Sequence, residues 1–157
     1  MPLLQETDRK AIEERFQETL QEDVKIRLFA ESATRSLLKI PGQQDQNNEY
    51  VKVTRELMQE LAEMSPKLSL EIFDVHGDGA EEAKRLNIEQ IPAIVLGDDE
   101  GGRVRFYGAP VGNEFSTILM SIEGLSQSNA PLPEHVTAVA EARISEPVHL
   151  RVFVTPT

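Results

Sequence analysis

The sequence contains no cysteine in its 157 residues. Disulfide bonds, thiolate catalysis and cysteine-ligated metal sites all require that side chain. The chain therefore has no thiol with which to carry out thiol–disulfide chemistry. We predict that it is not an enzyme of that kind and that it has no cofactor.

Basic residues and long apolar runs are also scarce. Lys and Arg number 16 against 27 Asp and Glu, which gives a net charge of −11. Nucleic acids and anionic membranes both attract a basic surface, so we expect neither as a partner. No apolar run approaches the roughly 20 residues that a membrane span needs. Met1–Lys10 lacks the basic start and apolar core of a signal peptide, so we expect a cytoplasmic protein.

Candidate metal and nucleotide sites are few. The glycines do not fit either nucleotide-binding fingerprint. His76 lies between Asp74 and Asp78, and this set could offer a metal two carboxylates and an imidazole. Aspartate and glycine form turns and cap helices without any metal. Residues 98–100 are acidic but lack the ligand spacing of an EF-hand. We therefore predict no metal site.

Helical and strand periodicities alternate along residues 1–125. A Gln- and Asn-rich stretch at residues 41–48 interrupts them and is typical of a loop. The predicted order is helix, strand, helix, strand, short helix, two strands and helix, centred on residues 12–20, 24–30, 53–64, 68–75, 78–86, 93–96, 104–108 and 115–125. This order predicts an α/β domain with a central mixed sheet flanked by helices.

A helix–strand pattern recurs after this domain. Residues 126–133 have the composition of a linker, and residues 134–144 have a helical pattern. Val148–Val154 has a strand pattern in the same apolar phase as Val24–Ala30, at an offset of 124 residues. We predict that residues 134–157 are the helix and first strand of a second, truncated unit. A coincidental helix–strand pair would give the same pattern.

The C-terminal strand pattern also predicts an interaction. An apolar, β-prone strand that is left exposed is prone to aggregation. We therefore expect Val148–Val154 to pair with a strand of another chain, which would form a homodimer, or to add to the edge of the first sheet.

Four stretches carry a family resemblance, and they are KLSLEIFD (67–74), IPAIVL (91–96), RVRFYGAPVGNE (103–114) and VFVTPT (152–157). They resemble the tandem thioredoxin-fold unit of glutaredoxin-like protein disulfide oxidoreductases. They equally resemble the N-terminal domain of the flavoprotein subunit of alkyl hydroperoxide reductase. The third stretch is the most specific, because its Pro-x-Gly-x-Glu-Phe run into a helix is uncommon. The resemblance implies a thioredoxin-like fold, with this chain as the Cys-less first unit and the start of the second.

The resemblance also implies where a redox pair would lie. In redox-active members, Cys-x-x-Cys follows the first strand at the start of a helix. Counting forward from that strand gives Thr34 and Leu37, whereas counting backward from the next strand gives Asn48 and Val51. The two counts differ because residues 36–47 look like an insertion. Neither placement contains cysteine, so we predict a redox-silent unit.

Pro92, after Ile91, corresponds by resemblance to the cis-proline that faces the redox pair. In the family its backbone pairs with extended peptides. The same loop here could hold a segment of a protein partner, or it could be a structural relic.

Two functions are compatible with these observations. The first is a non-catalytic module with a structural, dimerisation or partner-presenting role, packed against a protein partner or a second thioredoxin-like unit. The second is a fragment of a protein disulfide oxidoreductase or peroxiredoxin reductase whose Cys-x-x-Cys lies beyond Thr157. A third function, a small-ligand-binding protein with a thioredoxin fold, would be supported by a sizeable apolar pocket beside Pro92.

Overall fold

The computed structural model describes residues 3–32, 46–97, 104–127 and 133–154, with backbone alone at 46–48. Helices and strands alternate through these ranges. In chain order they are α1 (Glu6–Thr19), β1 (Val24–Ala30), α2 (Gln46–Glu63), β2 (Leu68–Asp74), α3 (Ala80–Arg85), β3 (Ala93–Leu96), β4 (Val104–Tyr107), α4 (Asn113–Ser126) and α5 (Glu134–Arg143). None of the helices in these ranges combines the length and apolar character needed to cross a membrane.

The described strands form one mixed sheet in the order β2-β1-β3-β4. β1 runs parallel to β2, with Val24 beside Leu68, and antiparallel to β3, with Phe29 beside Ala93. β4 continues the sheet antiparallel to β3. All but one residue of β1 is buried, which fits a strand that is covered on both faces. The predicted α/β class with a mixed sheet is confirmed.

The two faces of the sheet have separate cores because side chains alternate along each strand. The first face packs under α1, α2 and α4, and its fully buried residues include Phe16, Ile26, Leu28, Met58, Leu61, Ile94 and Ile122. The second face is smaller and packs under α3, through Phe29, Leu86, Ala93 and Val95. There the rings of Phe29 and Phe73 stack with their centroids 5.0 Å apart. The larger apolar area therefore lies on the first face.

A buried serine fixes the loop between α1 and β1. Ser126 is the last residue of α4 and is fully buried. Its Oγ accepts hydrogen bonds from the amides of Gln21 (2.8 Å) and Glu22 (2.9 Å) and donates to the Glu22 carbonyl (2.6 Å). Lys67 Nζ donates to the carbonyls of Leu20 and Gln21. The entry to the central strand is thus held from two sides.

We expect Ser126→Ala to lower the free energy of unfolding by about 1 kcal/mol, because the part-buried Gln21 amide and Glu22 carbonyl lose their bonds to the hydroxyl, while the Glu22 amide keeps the Ser126 carbonyl. Ser121→Ala is the matched control, since the half-buried Ser121 donates to the Thr117 carbonyl of its own helix, and its hydroxyl bonds no other element among the described residues. Urea denaturation of the three proteins measures the difference. Equal stability of the two variants would contradict the assigned role of Ser126.

One expectation about a chain segment was wrong in part, and one of the two alternatives expected for the C-terminal segment is excluded. The helix α2 includes Gln46, so part of the predicted 41–48 loop is helical. Polar residues can extend a helix where they do not contact the core. The apolar stripe that begins at residue 53 therefore placed the predicted start of this helix too late. Val148–Val154 forms no strand with the sheet and is exposed, so it does not add to the sheet edge of its own chain. The division at residues 125 and 134 stays a prediction.

Candidate functional site

Three segments meet at one edge of the sheet. Glu31 follows the end of β1, and Val75 follows the end of the parallel strand β2, where its amide donates to the Ala30 carbonyl (3.2 Å). The antiparallel strand β3 begins at this same edge, so the Ile91-Pro92 loop that precedes it lies there as well. The topology therefore brings together the residue after β1, the turn after β2 and the loop before β3.

A carboxylate–imidazole pair lies at this edge. His76 Nε2 is 3.3 Å from Glu31 Oε1, and the Glu31 side chain is the more buried, at 17% exposed against 49%. Arg55, from α2, donates to the Glu31 carbonyl at 2.9 Å. The Asp74 carboxylate accepts the amide of His76 at 3.1 Å. The backbone after β1 is thus held from α2, and Glu31 also contacts the turn after β2.

This arrangement explains the acidic turn without a metal. Asp74 bonds the backbone two residues further on, which is the turn-forming behaviour of aspartate. Within the described ranges, no group of three or more His, Asp or Glu side chains is arranged to hold a metal ion. The acidic tip at residues 98–100 lies outside them.

The loop before β3 contains a cis peptide bond between Ile91 and Pro92. Pro92 is buried, and its carbonyl accepts the amide of Gly108 at 2.9 Å. Ile91 is half-buried. The loop is therefore fixed to the end of β4, while the residue before the proline faces partly outward.

An open groove of about 520 Å³ lies beside this loop. Half of its lining residues are apolar, and half are polar or charged. The apolar ones are Val75, Ala80, Ala83, Ile88 and Ile91, and the others are His76, Lys84, Asn87, Glu89 and Gln90. A concave, largely apolar surface with a few polar groups is the usual form of a binding site. The groove is open and its lining is mixed, and Ile91 is the residue of the cis-proline loop that lines it.

The structure describes one of the two predicted placements of the redox pair. Thr34 and Leu37 lie outside the described residues. Asn48 and Val51 lie in the first turns of α2, and Val51 is buried in the core of the first face. The sequence indicated neither Glu31 nor Arg55 as a site residue. The available signal was the position of Glu31, a charged residue directly after a buried strand.

Two solved structures share this fold. The N-terminal domain of the alkyl hydroperoxide reductase AhpF from Enterococcus faecalis matches 88% of the chain with a TM-score of 0.67 and 19% identity. A protein disulfide oxidoreductase from Aeropyrum pernix matches 88% with a TM-score of 0.66 and 21% identity. The chain has a thioredoxin-like fold. The predicted resemblance to both groups is confirmed at the level of fold.

The thioredoxin-like chain spans 60% of the Enterococcus domain and 54% of the Aeropyrum protein. No protein-family model and no curated protein matches its sequence. Identities near 20% support a shared fold and leave the activity to be argued from the site.

Proposed function

We propose that this chain is a non-catalytic module of a thiol–disulfide oxidoreductase-like protein and that it presents a segment of a protein partner at the cis-proline edge. The carrying observation is that a sequence without cysteine folds into a thioredoxin-like domain with the cis-proline loop in place. Glu31 and His76 occupy the edge where the three site segments meet. The chain offers no thiol there for disulfide exchange.

The groove favours partner binding over a structural relic. Ile91 of the cis-proline loop lines it, and its volume falls within the range of about 300–1,000 Å³ found for binding sites. Its mouth is open, so an extended segment can enter from the side. Lys84 and Glu89 at the rim offer one charge of each sign.

The alternative is a fragment of a protein disulfide oxidoreductase or a peroxiredoxin reductase. The Enterococcus and Aeropyrum chains are longer than this chain, which spans 60% and 54% of them. In that case a Cys-x-x-Cys beyond Thr157 would carry out the chemistry, and the present residues would support it.

Two measurements on one pair of proteins test the proposal. We expect this chain to show no reduction of insulin disulfides, since it has no thiol. A version extended past Thr157 with its source-gene sequence is assayed beside it. Activity of the longer protein alone would support the fragment alternative, and activity of the present chain would overturn both.

Binding is measured with a reduced, carboxymethylated polypeptide that contains tryptophan, because the chain itself has none. Its fluorescence then reports binding directly. We expect Ile91→Lys to weaken binding about tenfold by placing a charge against the apolar groove. Met120→Lys, on an exposed residue of α4, is the control and leaves affinity unchanged. No binding to the unmodified chain, or equal effects of both substitutions, would contradict partner presentation.

A further inference from the structure

Residues 144–154, termed the C-terminal arm, expose a row of apolar side chains. Leu150, Val152 and Phe153 are 84%, 83% and 88% exposed, and Val148 and Val154 are above 60%. Four of these five residues alternate along the chain, so an extended arm places them on one side. Helix α5, which precedes the arm, has no buried residue either. Among the described residues, the arm's apolar side is uncovered.

The arm's backbone is also available for pairing. Beyond Ile144, its amides and carbonyls form no backbone hydrogen bond with any other described residue. A stretch with free backbone groups and an apolar side satisfies both requirements of a strand that adds to a sheet.

The sheet offers an edge for such a strand at β4, the outermost strand on that side of the described sheet. Gly108 donates its amide inward, to the Pro92 carbonyl. Since successive amides of a strand point in opposite directions, the amide of Tyr107 points outward. Val104 and Phe106 are half-buried and pack against the first core, so an apolar strand at this edge would extend that core.

The arm lies near this edge in its own chain but does not close onto it. An open cleft of about 710 Å³ lies between them, lined by the arm, by β4 and by residues of the 87–90 loop. One ion pair crosses to the body, from Arg151 to Glu89 at 3.6 Å, and both side chains are more than half exposed. Such a pair contributes little.

We propose that the arm of one copy adds to the β4 edge of a second copy, and that the exchange is reciprocal. The strand and the edge it would cover belong to the same chain, so two copies related by a two-fold axis satisfy both at once and form a closed dimer. The partner is therefore a second copy of this chain, and Arg151 of each arm can meet Glu89 of the other body.

Net charge gives the dimer a distinctive salt dependence. Each copy carries −11, and this repulsion outweighs a single exposed ion pair per interface. Raising the salt from about 0.1 M to about 1 M shortens the screening length from about 10 Å to about 3 Å. The dimer is expected to tighten over that range, which is opposite to an interface held by ion pairs.

Sedimentation equilibrium of the full chain tests the proposal. We expect a dissociation constant of the dimer below about 1 mM, and we expect this constant to fall as the salt concentration rises. Leu150→Lys raises the dissociation constant about 100-fold, because each dimer loses two buried leucines. Met120→Lys, a control on α4 at an exposed apolar residue, leaves it within about twofold. A monomer at every concentration and salt, or an equal effect of both substitutions, would overturn the proposal.

Disulfide trapping distinguishes reciprocal exchange from arm–arm pairing and from pairing within one chain. Because the chain has no cysteine, only the introduced cysteines can form a disulfide. Chains with Tyr107→Cys are mixed with chains that carry Val148→Cys, Leu150→Cys or Val152→Cys, and the mixture is oxidised. A cross-linked pair of one chain of each kind supports the exchange. Cross-linking found only between two arm variants would overturn it by showing arm–arm pairing. A separate chain that carries both substitutions tests intrachain pairing, and a disulfide formed within that chain would also overturn the exchange.

Discussion

Gly79→Ala is expected to lower the free energy of unfolding by about 3 kcal/mol, a large effect for the addition of one methyl group. A β-carbon built at Gly79 lies 2.6 Å from the Cβ of Phe73 and 3.0 Å from the backbone N and O of Asp74. Non-bonded carbon atoms are at their optimum near 3.5–4.0 Å. The methyl group therefore collides with atoms of the adjacent strand.

These neighbours cannot move without loss. The Gly79 amide donates to the Asp74 carbonyl at 3.0 Å, which holds the turn against the end of β2. Phe73 is stacked on Phe29, a fully buried residue of the central strand. Relief of the collision would therefore disturb the core of the second face, and with it the turn that carries His76.

Gly124→Ala is the matched control. Gly124 lies within α4, and a β-carbon built there has no atom of the described residues within 4 Å beyond its chain neighbours and the backbone of its own helix. Alanine is favoured over glycine inside a helix by up to about 1 kcal/mol, so this variant should be more stable than the parent. Urea denaturation followed by circular dichroism gives both values. The same sign of change for both variants would contradict the close packing at Gly79.

The order of elements in residues 1–125 was predictable because periodicity depends on local sequence. Val24–Ala30 and residues 93–96 are apolar enough to show that they are buried, and both are strands of the sheet. The pairing of strands required the family resemblance, since apolar periodicity alone does not show which strands are neighbours. The same resemblance singled out Ile91 and Pro92.

The contacts at the candidate site were not predictable from local patterns. Glu31 and His76 are 45 residues apart in the sequence, and they meet because β1 and β2 end at the same edge. The arm shows a related limit. Its alternation indicates a strand, but a strand also needs a neighbour, and this one does not pair with the described sheet of its own chain.

Arg27 shows the same limit in the core. It alternates with apolar residues in β1, a pattern typical of a strand with one solvated face, yet its side chain is only 1% exposed. The charge is accommodated because α3 places Glu82 at 3.4 Å across the second face. A contact between a strand and a helix 55 residues later leaves no trace in the local sequence.

This pair leads to the second large effect. Glu82→Gln is expected to lower the free energy of unfolding by about 2 kcal/mol, because the buried guanidinium of Arg27 loses a compensating charge. This cost is lower than the roughly 3–5 kcal/mol typical of a broken buried ion pair, because Glu82 is itself 25% exposed. Glu81→Gln is the control, because Glu81 is exposed and paired only with the exposed Lys84 in the same helix.

The effect should depend on pH in a defined direction. Hydrogen bonds from Arg85, and in addition the charge of Arg27, hold the pKa of Glu82 below its ordinary value of 4.5. A lowered pKa in the folded state stabilises the protein above the unfolded-state pKa, and that contribution is lost as the pH falls through the folded-state pKa. The difference in free energy of unfolding between the parent and Glu82→Gln therefore has its full value near pH 7, and it shrinks as the pH falls below 4.5, the ordinary pKa of the group.

A double variant distinguishes loss of charge from loss of shape. Arg27→Met with Glu82→Leu removes both charges and keeps apolar bulk at the second face, and such replacements are often neutral or stabilising. Its stability at pH 7 should therefore exceed that of Glu82→Gln alone, and the difference between these two variants should stay constant in acid, because neither of them contains the Glu82 carboxylate. If the double variant is as unstable as the single one, the cost lies in packing around α3 rather than in an uncompensated Arg27.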